Sequence, residues 1–236
     1  QIKSVHDGMG IFKLVPRANQ TYTVSFAGQT FTLPQASPSG LAIKITSTKG
    51  SINYSWSAAG GDTFKPAYLI GQMQHITALK QPVSTSSGTI NTTNLHSGVL
   101  QLTFFNKDGM PLAERLVFVD NKEYLIDASL NAQTVNTKAR ARNQLSIDFN
   151  EHIEGNFSVT VTDDNYNEPG PRKDNIISSL LLTSDVPGYV HDPAFYFTEN
   201  AGSKGALDLL MMTNGWRRFN WKHLYKESKP LYKDPG

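Results

Sequence analysis

The chain has 236 residues, 39% of them hydrophobic, with 22 Lys and Arg set against 20 Asp and Glu. That is enough apolar material for the packed cores of two or more modules of roughly 100 residues each, and charge this balanced, without a basic stripe, argues against nucleic acid as a partner. Cys is absent, which excludes disulfides, thiolate metal sites, a Cys nucleophile and an internal Cys–Gln thioester.

No apolar run reaches the roughly 18 residues needed to cross a membrane as a helix. The amino terminus lacks a basic region followed by an apolar stretch, so any signal peptide is expected to have been removed or to lie upstream.

From the start to about residue 165, apolar and polar residues alternate with period two. Gly, Pro, Asn and Asp break the alternation, the pattern of short strands with one buried face. Residues 11–16 and 21–26 read as a first hairpin around the loop Arg17 to Gln20. Further strands are predicted over 29–33, 41–46, 51–56, 67–76, 89–94, 98–105 and 114–119, and a second series over 124–130, 139–149 and 156–162. Their spacing fits sandwiches rather than βαβ units.

The period changes after Gly170. Asp174 or Asn175 can cap a helix carrying Ile176, Ile177, Leu180 and Leu181, and Pro187-Gly188 punctuates its far side. Residues 189–197 read as an ordered aromatic loop or short strand. From about Gly205 to Phe219, Leu209, Met212, Trp216 and Phe219 recur at helical spacing, and Ala206, Leu207, Leu210 and Met211 widen the stripe. Turn residues place seams at Pro34 to Gly40 and Asp120 to Lys122. The expected division is residues 1–37 as the last strands of an incomplete upstream sandwich, 38–121 as one sandwich, and 122–236 as a second with inserted and C-terminal helices.

Little in the chain looks catalytic. The six histidines, His6, His75, His96, His152, His191 and His223, show no i, i+2 or i, i+4 pair that would present a metal face. Glu151, His152 and Glu154 are close but lack a second His. Asp163, Asn165 and Asn167 occupy the first, third and fifth positions of a calcium loop, with Asp174 at the twelfth. Glu168 stands where such a loop needs Gly, and its final bidentate Glu is missing. No G-x-S-x-G elbow or phosphate-binding Gly run occurs. Glu114 and Arg115 are neighbours on a strand and point to opposite faces, so they read as makers of salt bridges rather than a catalytic pair. The reading is of no catalytic residue, no metal and no cofactor. Trp216, Arg217, Arg218 and Phe219 form a candidate interaction patch, since aromatic and Arg side chains dominate hot spots.

Several ordered phrases carry a family resemblance: Gly8-Met9-Gly10-x-Phe12, Gly98 to Thr103, Met110 to Val119, Phe157 to Asp163, Leu180 to Asp185, Asp192 to Phe197, and Leu207 to Phe219. Together they resemble the macroglobulin-like region of large exported Bacteroidetes proteins, often followed by a carboxypeptidase-regulatory-like module and a TonB-dependent receptor plug. The resemblance implies a mainly β fold of tandem immunoglobulin-like sandwiches and a periplasmic or outer-membrane location. It implies protein partners or downstream domains of the same chain, and no activity. The expected function is thus a non-enzymatic structural or interaction module. The alternative is a glycan- or peptide-binding component of an uptake receptor, using aromatics such as Tyr54, Trp56, Tyr68, Tyr189 or Tyr196 to line a groove.

Overall fold

The computed structural model describes residues 3–17, 19–152, 154–156, 158–159 and 174–215. The fold is mainly β, with several antiparallel sheets and a small helical part near the C-terminal end of the described residues. Eleven strands are present among these residues: β1 (Thr23–Phe26), β2 (Gln29–Thr32), β3 (Gly40–Thr48), β4 (Ser51–Ala59), β5 (Tyr68–Met73), β6 (Ile76–Pro82), β7 (Ser87–Asn91), β8 (Gly98–Phe105), β9 (Pro111–Val119), β10 (Ala128–Thr134) and β11 (Gln144–Phe149). Two α-helical segments follow, α1 (Ile176–Ser178) and α2 (Ser203–Thr213).

By contacts the chain divides into two units, one of residues 1–121 with 172–236 and the other of residues 122–171. In the first, strands β3-β4-β7 form one sheet and β6-β5-β8-β9 another. Alternation explains the first sheet. Leu41, Ile43 and Ile45 on β3 and Ile52, Tyr54 and Trp56 on β4 turn inward, while Lys44, Thr46, Asn53, Ser55 and Ser57 turn to solvent. Opposite them lie Leu69, Leu100, Leu102, Phe104, Val117 and Val119 from the second sheet, so the two sheets share one core. The Tyr54 and Phe104 rings meet edge to face at 5.4 Å across it.

The second sheet is covered on its other face too. Val99 on β8 and Leu116 and Phe118 on β9 point away from the first core and meet Leu182, Val186, Val190, Tyr196, Ala206, Leu207, Leu210 and Met211. Asn175 starts this helical layer with a capping box, accepting from the Ser178 N–H while Ser178 Oγ accepts from the Asn175 N–H. The chain continues as a π-helical turn over Ser179–Thr183, then a 3-10 turn over Pro193–Phe197, and then α2.

One buried and one half-buried amide fix the strand ends. Asn106 accepts from the N–H groups of Asp108 and Met110 and donates to the Thr63 carbonyl, shaping the β8–β9 turn. Asn121 donates to the carbonyls of Thr92 and Leu95, both at 2.7 Å, and fastens the chain where β9 ends.

Several expectations shift. The first hairpin pairs β1 with β2, not residues 11–16 with 21–26, because Ala27 and Gly28 both take positive φ and close a two-residue turn. The predicted strand over 67–76 is broken into β5 and β6 by Gln74 and His75, at φ 46° and 68°. The strand expected over 156–162 lies largely outside the described residues. In α2 the buried face runs through Ser203, Ala206, Leu207, Leu210 and Met211, with Leu209 also buried. Met212 is 42% exposed, so the stripe is centred one step away from the predicted Leu209–Met212 line. The small Ser203 and Ala206 permit that closer approach.

The second contact unit starts at Lys122. Of the segment expected to follow residue 122 as one module, the apolar residues between Leu182 and Met211 pack on the outer face of β8 and β9. Residues 1–37 group with the first unit as well. Taken by itself, the described part of residues 122–171 contains one two-stranded ribbon. Leu130 faces Ile147 and Ala132 faces Leu145 on one side, and an Asn131–Asp148 hydrogen bond of 2.7 Å links the strands.

Phe104 is 0% exposed, and Phe104→Ala is expected to cost about 3–5 kcal/mol, with Leu210→Ala in the helical layer costing about 2–5 kcal/mol. Guanidinium unfolding followed by far-ultraviolet dichroism and by Trp fluorescence should give coincident transitions for both variants. A separate helical transition in Leu210→Ala would show the layer to be a module of its own.

Candidate interaction site

The predicted patch Trp216, Arg217, Arg218 and Phe219 lies outside the described residues, as do residues 163–168 of the calcium-loop match. Asp174, the last position of that match, is described. Its carboxylate accepts from Ser178 Oγ and the Asn175 N–H, so it serves the start of α1.

α2 leads directly toward the patch and ends at Asn214, whose N–H bonds the Leu210 carbonyl. Where it ends, a cleft of about 300 Å³ opens between α2, β3 and the edge strand β9, lined by Ile43, Gln101, Glu114, Arg115, Leu116, Met211, Met212 and Gly215. Glu114 and Arg115 part as the strand geometry requires, yet both reach the cleft because β9 is the sheet's edge. Glu114 Oε1 accepts from Gln101 Nε2 and Thr103 Oγ1, both at 3.3 Å, and Arg115 Nη2 reaches Asp208 on α2 at 2.7 Å. The Arg115 side chain is 14% exposed and Asp208 49%, so the pair contributes about 0–1 kcal/mol and acts mainly to hold β9 and α2 in register. A cleft lined by two thioethers, two aliphatic side chains, an amide, a carboxylate and a guanidinium offers contact area and charged groups for a complementary surface.

The second concentration of polar and aromatic groups was not legible in the sequence. Asp7 and Gly8 take positive φ, and the resulting turn is closed by Val5 N–H to Met9 O at 2.7 Å and Met9 N–H to His6 O at 2.9 Å. The His6 ring stacks on Phe195 at 4.1 Å with 8° between the planes and meets the edge of Tyr196 at 5.3 Å. His191 lies 6.1 Å away between ring centroids. Met9 packs on the second core, and its sulfur accepts from Thr213 Oγ1 at 3.2 Å. Only the Asp7-Gly8 dipeptide announces a turn; its docking partners lie about 185 to 205 residues along the chain.

The remaining candidates are dispersed. Among the described residues no group of three or more His, Asp or Glu is arranged to hold a metal ion. His152 and Glu154 are 3.9 Å apart and almost fully exposed. Of the five aromatics that would line a ligand groove, Tyr54 and Tyr196 are buried and Trp56 donates its indole N–H to the Thr85 carbonyl. Tyr68 is stacked on Phe105 with Lys80 over its ring, and Tyr189 is exposed.

Burial, with the carboxylates of Asp7 and Asp192 adding to it, pushes the Tyr196 phenol up to about 12. The sign follows from linkage. Above the ordinary value of 10.0 the unfolded phenol loses its proton while the folded one keeps it to about 12, so stability falls across that interval. Tyr196→Phe is expected to remove this alkaline loss, at most about 2 kcal/mol, as read from urea midpoints at about pH 9 and pH 11. A midpoint that falls equally in both chains would place the alkaline weakness elsewhere. No protein-family model matches the chain, and no curated protein matches it.

Proposed function

We propose that this chain is a non-enzymatic structural and interaction module of an exported protein, periplasmic or outer-membrane-associated, that holds a further component through the end of α2. The observation that carries this reading is the second core. Residues 182–211 are built into the outer face of β8 and β9, so the sheets and the end of α2 behave as one body. A spacer that positions a neighbour needs that rigidity.

The strand order β3-β4-β7 and β6-β5-β8-β9, two sheets around one core, supports an immunoglobulin-like sandwich of the macroglobulin-like kind. The ordered phrases from Gly8 onward support the link to a TonB-dependent receptor. The cleft beside Met211, Met212 and Gly215, with a lining that mixes apolar side chains with Gln101, Glu114 and Arg115, suits a protein surface better than a small substrate. No described helix is long and apolar enough to cross a membrane.

The test places a photo-crosslinking amino acid at Met212, in the cleft, and at Thr46, on the outer face of β3, in cells of the source organism. An adduct with an outer-membrane protein from position 212 and none from position 46 is the expected result. Adducts absent at 212, or a specific oligosaccharide or peptide ligand found by calorimetry, would sink the reading.

A further inference from the structure

We propose that the ribbon of β10 and β11 is a self-association surface, on which a second copy of this chain lays the same ribbon face to face and antiparallel about a two-fold axis. The register sorts the ribbon's side chains by chemistry. Ala128, Leu130 and Ala132 of β10 lie opposite Phe149, Ile147 and Leu145 of β11 and share one face. Ser129 and Asn131 lie opposite Asp148 and Ser146 and share the other. On the apolar face Leu130 is 67% exposed, Leu145 55% and Ile147 45%. A two-stranded ribbon is marginal in water by itself, so one with an open apolar face is stabilised by whatever covers that face.

The distribution of charge selects the occupant. The loop end, residues 133–144, carries Lys138, Arg140 and Arg142, all exposed, and no Asp or Glu. Its shape is held by a reciprocal pair: the Asn136 N–H donates to Asn143 Oδ1 at 2.6 Å, and Asn143 Nδ2 donates to the Asn136 carbonyl at 3.3 Å. At the open end Asn150 Nδ2 donates to Asp127 Oδ2 at 2.6 Å and ties the strands together. There Glu123, Asp127, Asp148, Glu151 and Glu154 outnumber Lys122. The ribbon is therefore positive at one end, negative at the other and apolar between. A second copy laid antiparallel sets each basic loop against the partner's acidic end, and the two-fold axis makes both matches at once. A parallel order would bring like charges together, and an uncharged apolar surface would leave both ends unmatched.

The axis passes between the Leu130–Ile147 and Ala132–Leu145 pairs, the middle of the apolar face. Ala132 then lies close to the partner's Ala132, whereas the two copies of Ala128 stand roughly 20 Å apart along the strands. The face itself measures roughly 20 Å by 10 Å, small beside the about 1,200 Å² buried in stable complexes, so the dimer is a weak one that salt loosens further. All of these residues belong to the unit of residues 122–171, and the surface is complete without the cleft beside α2.

The experiment uses the whole chain, whose lack of Cys makes an introduced one a clean reporter. Sedimentation velocity from about 1 µM to about 500 µM should show monomer passing to dimer with a Kd on the order of 10–100 µM, raised about tenfold by several hundred millimolar salt. Ile147→Asp sets two carboxylates beside the axis and should raise the Kd by about tenfold or more. Phe26→Asp, at an exposed apolar residue of the other unit, should leave it unchanged. With a short bis-maleimide cross-linker, Ala132→Cys should yield a covalent dimer and Ala128→Cys should not. A chain that stays monomeric throughout overturns the proposal, as does a dimer indifferent to Ile147→Asp. Equal cross-linking at 128 and 132 overturns the antiparallel order and the proposal with it. A monomer that instead floats with phosphatidylethanolamine–phosphatidylglycerol vesicles, and no longer does so as Ile147→Asp, gives the face to a membrane and overturns it too. Should Ile147→Asp fail to fold, the two Cys variants decide.

Discussion

Everything in the first unit depends on β8 being buried on both faces. Leu100, Leu102 and Phe104 close the core shared with β3, β4 and β7, while Val99 faces the helical layer. β8 is buried along almost its whole length although Gln101 and Thr103 share the face of Val99, and those two donate to Glu114 on the neighbouring strand. The apolar part of that face, Val99 with Leu116 and Phe118 on β9, creates the demand which the segment after Asp174 satisfies. Without Leu182, Val186, Leu210 and Met211, the apolar face of Val99, Leu116 and Phe118 would stand in water, and without that face α2 would be too short to persist. Neither layer is independent of the other, which is why residues 182–211 pack with the first unit despite the residues between them.

The same dependence explains what could be read in advance. The alternation in β3, β4 and β8 and the helical period of residues 206–212 each follow from one local demand, and each was legible. What failed was set at longer range or by backbone conformation. Gln74 and His75 turn the chain between β5 and β6 without a Gly, Asn or Asp to mark the spot, so one strand was expected where there are two. The phase of α2 is set by small residues, Ser203 and Ala206, whose closeness to the sheet outweighs their low hydrophobicity. A hydrophobicity stripe weights Met212 above Ala206, and the packing reverses that order.

The polar sites divide along the same line. Glu114 and Arg115 were expected on opposite faces of a strand engaged in ion pairing. Arg115 does pair with Asp208, while Glu114 accepts from Gln101 and Thr103. That Asp208 would be the partner was invisible, since 93 residues separate the two. His6 was indistinguishable from the other five histidines because nothing local marks it. Only the fold brings it to Phe195, Tyr196 and Asp192, and only burial of their polar atoms singles it out.

These interactions differ in strength enough to act separately. The first core contains ten buried residues, and removing any large one costs several kcal/mol, so it opens only with the whole fold. The second core is of similar kind and adds the anchoring of α2. The turn at Val5 to Met9 is held by two side chains, one stacked and one through a thioether, each contributing no more than a weak contact or hydrogen bond. The exposed residues that follow it, with Val15 88% exposed and Phe26 75%, add little that would keep it in place. A contact that weak can open many times without disturbing the sheets beneath, and a body that rigid gives it a fixed seat to return to. The chain thus combines two interlocked cores with one attachment held only by a ring stack and a thioether contact.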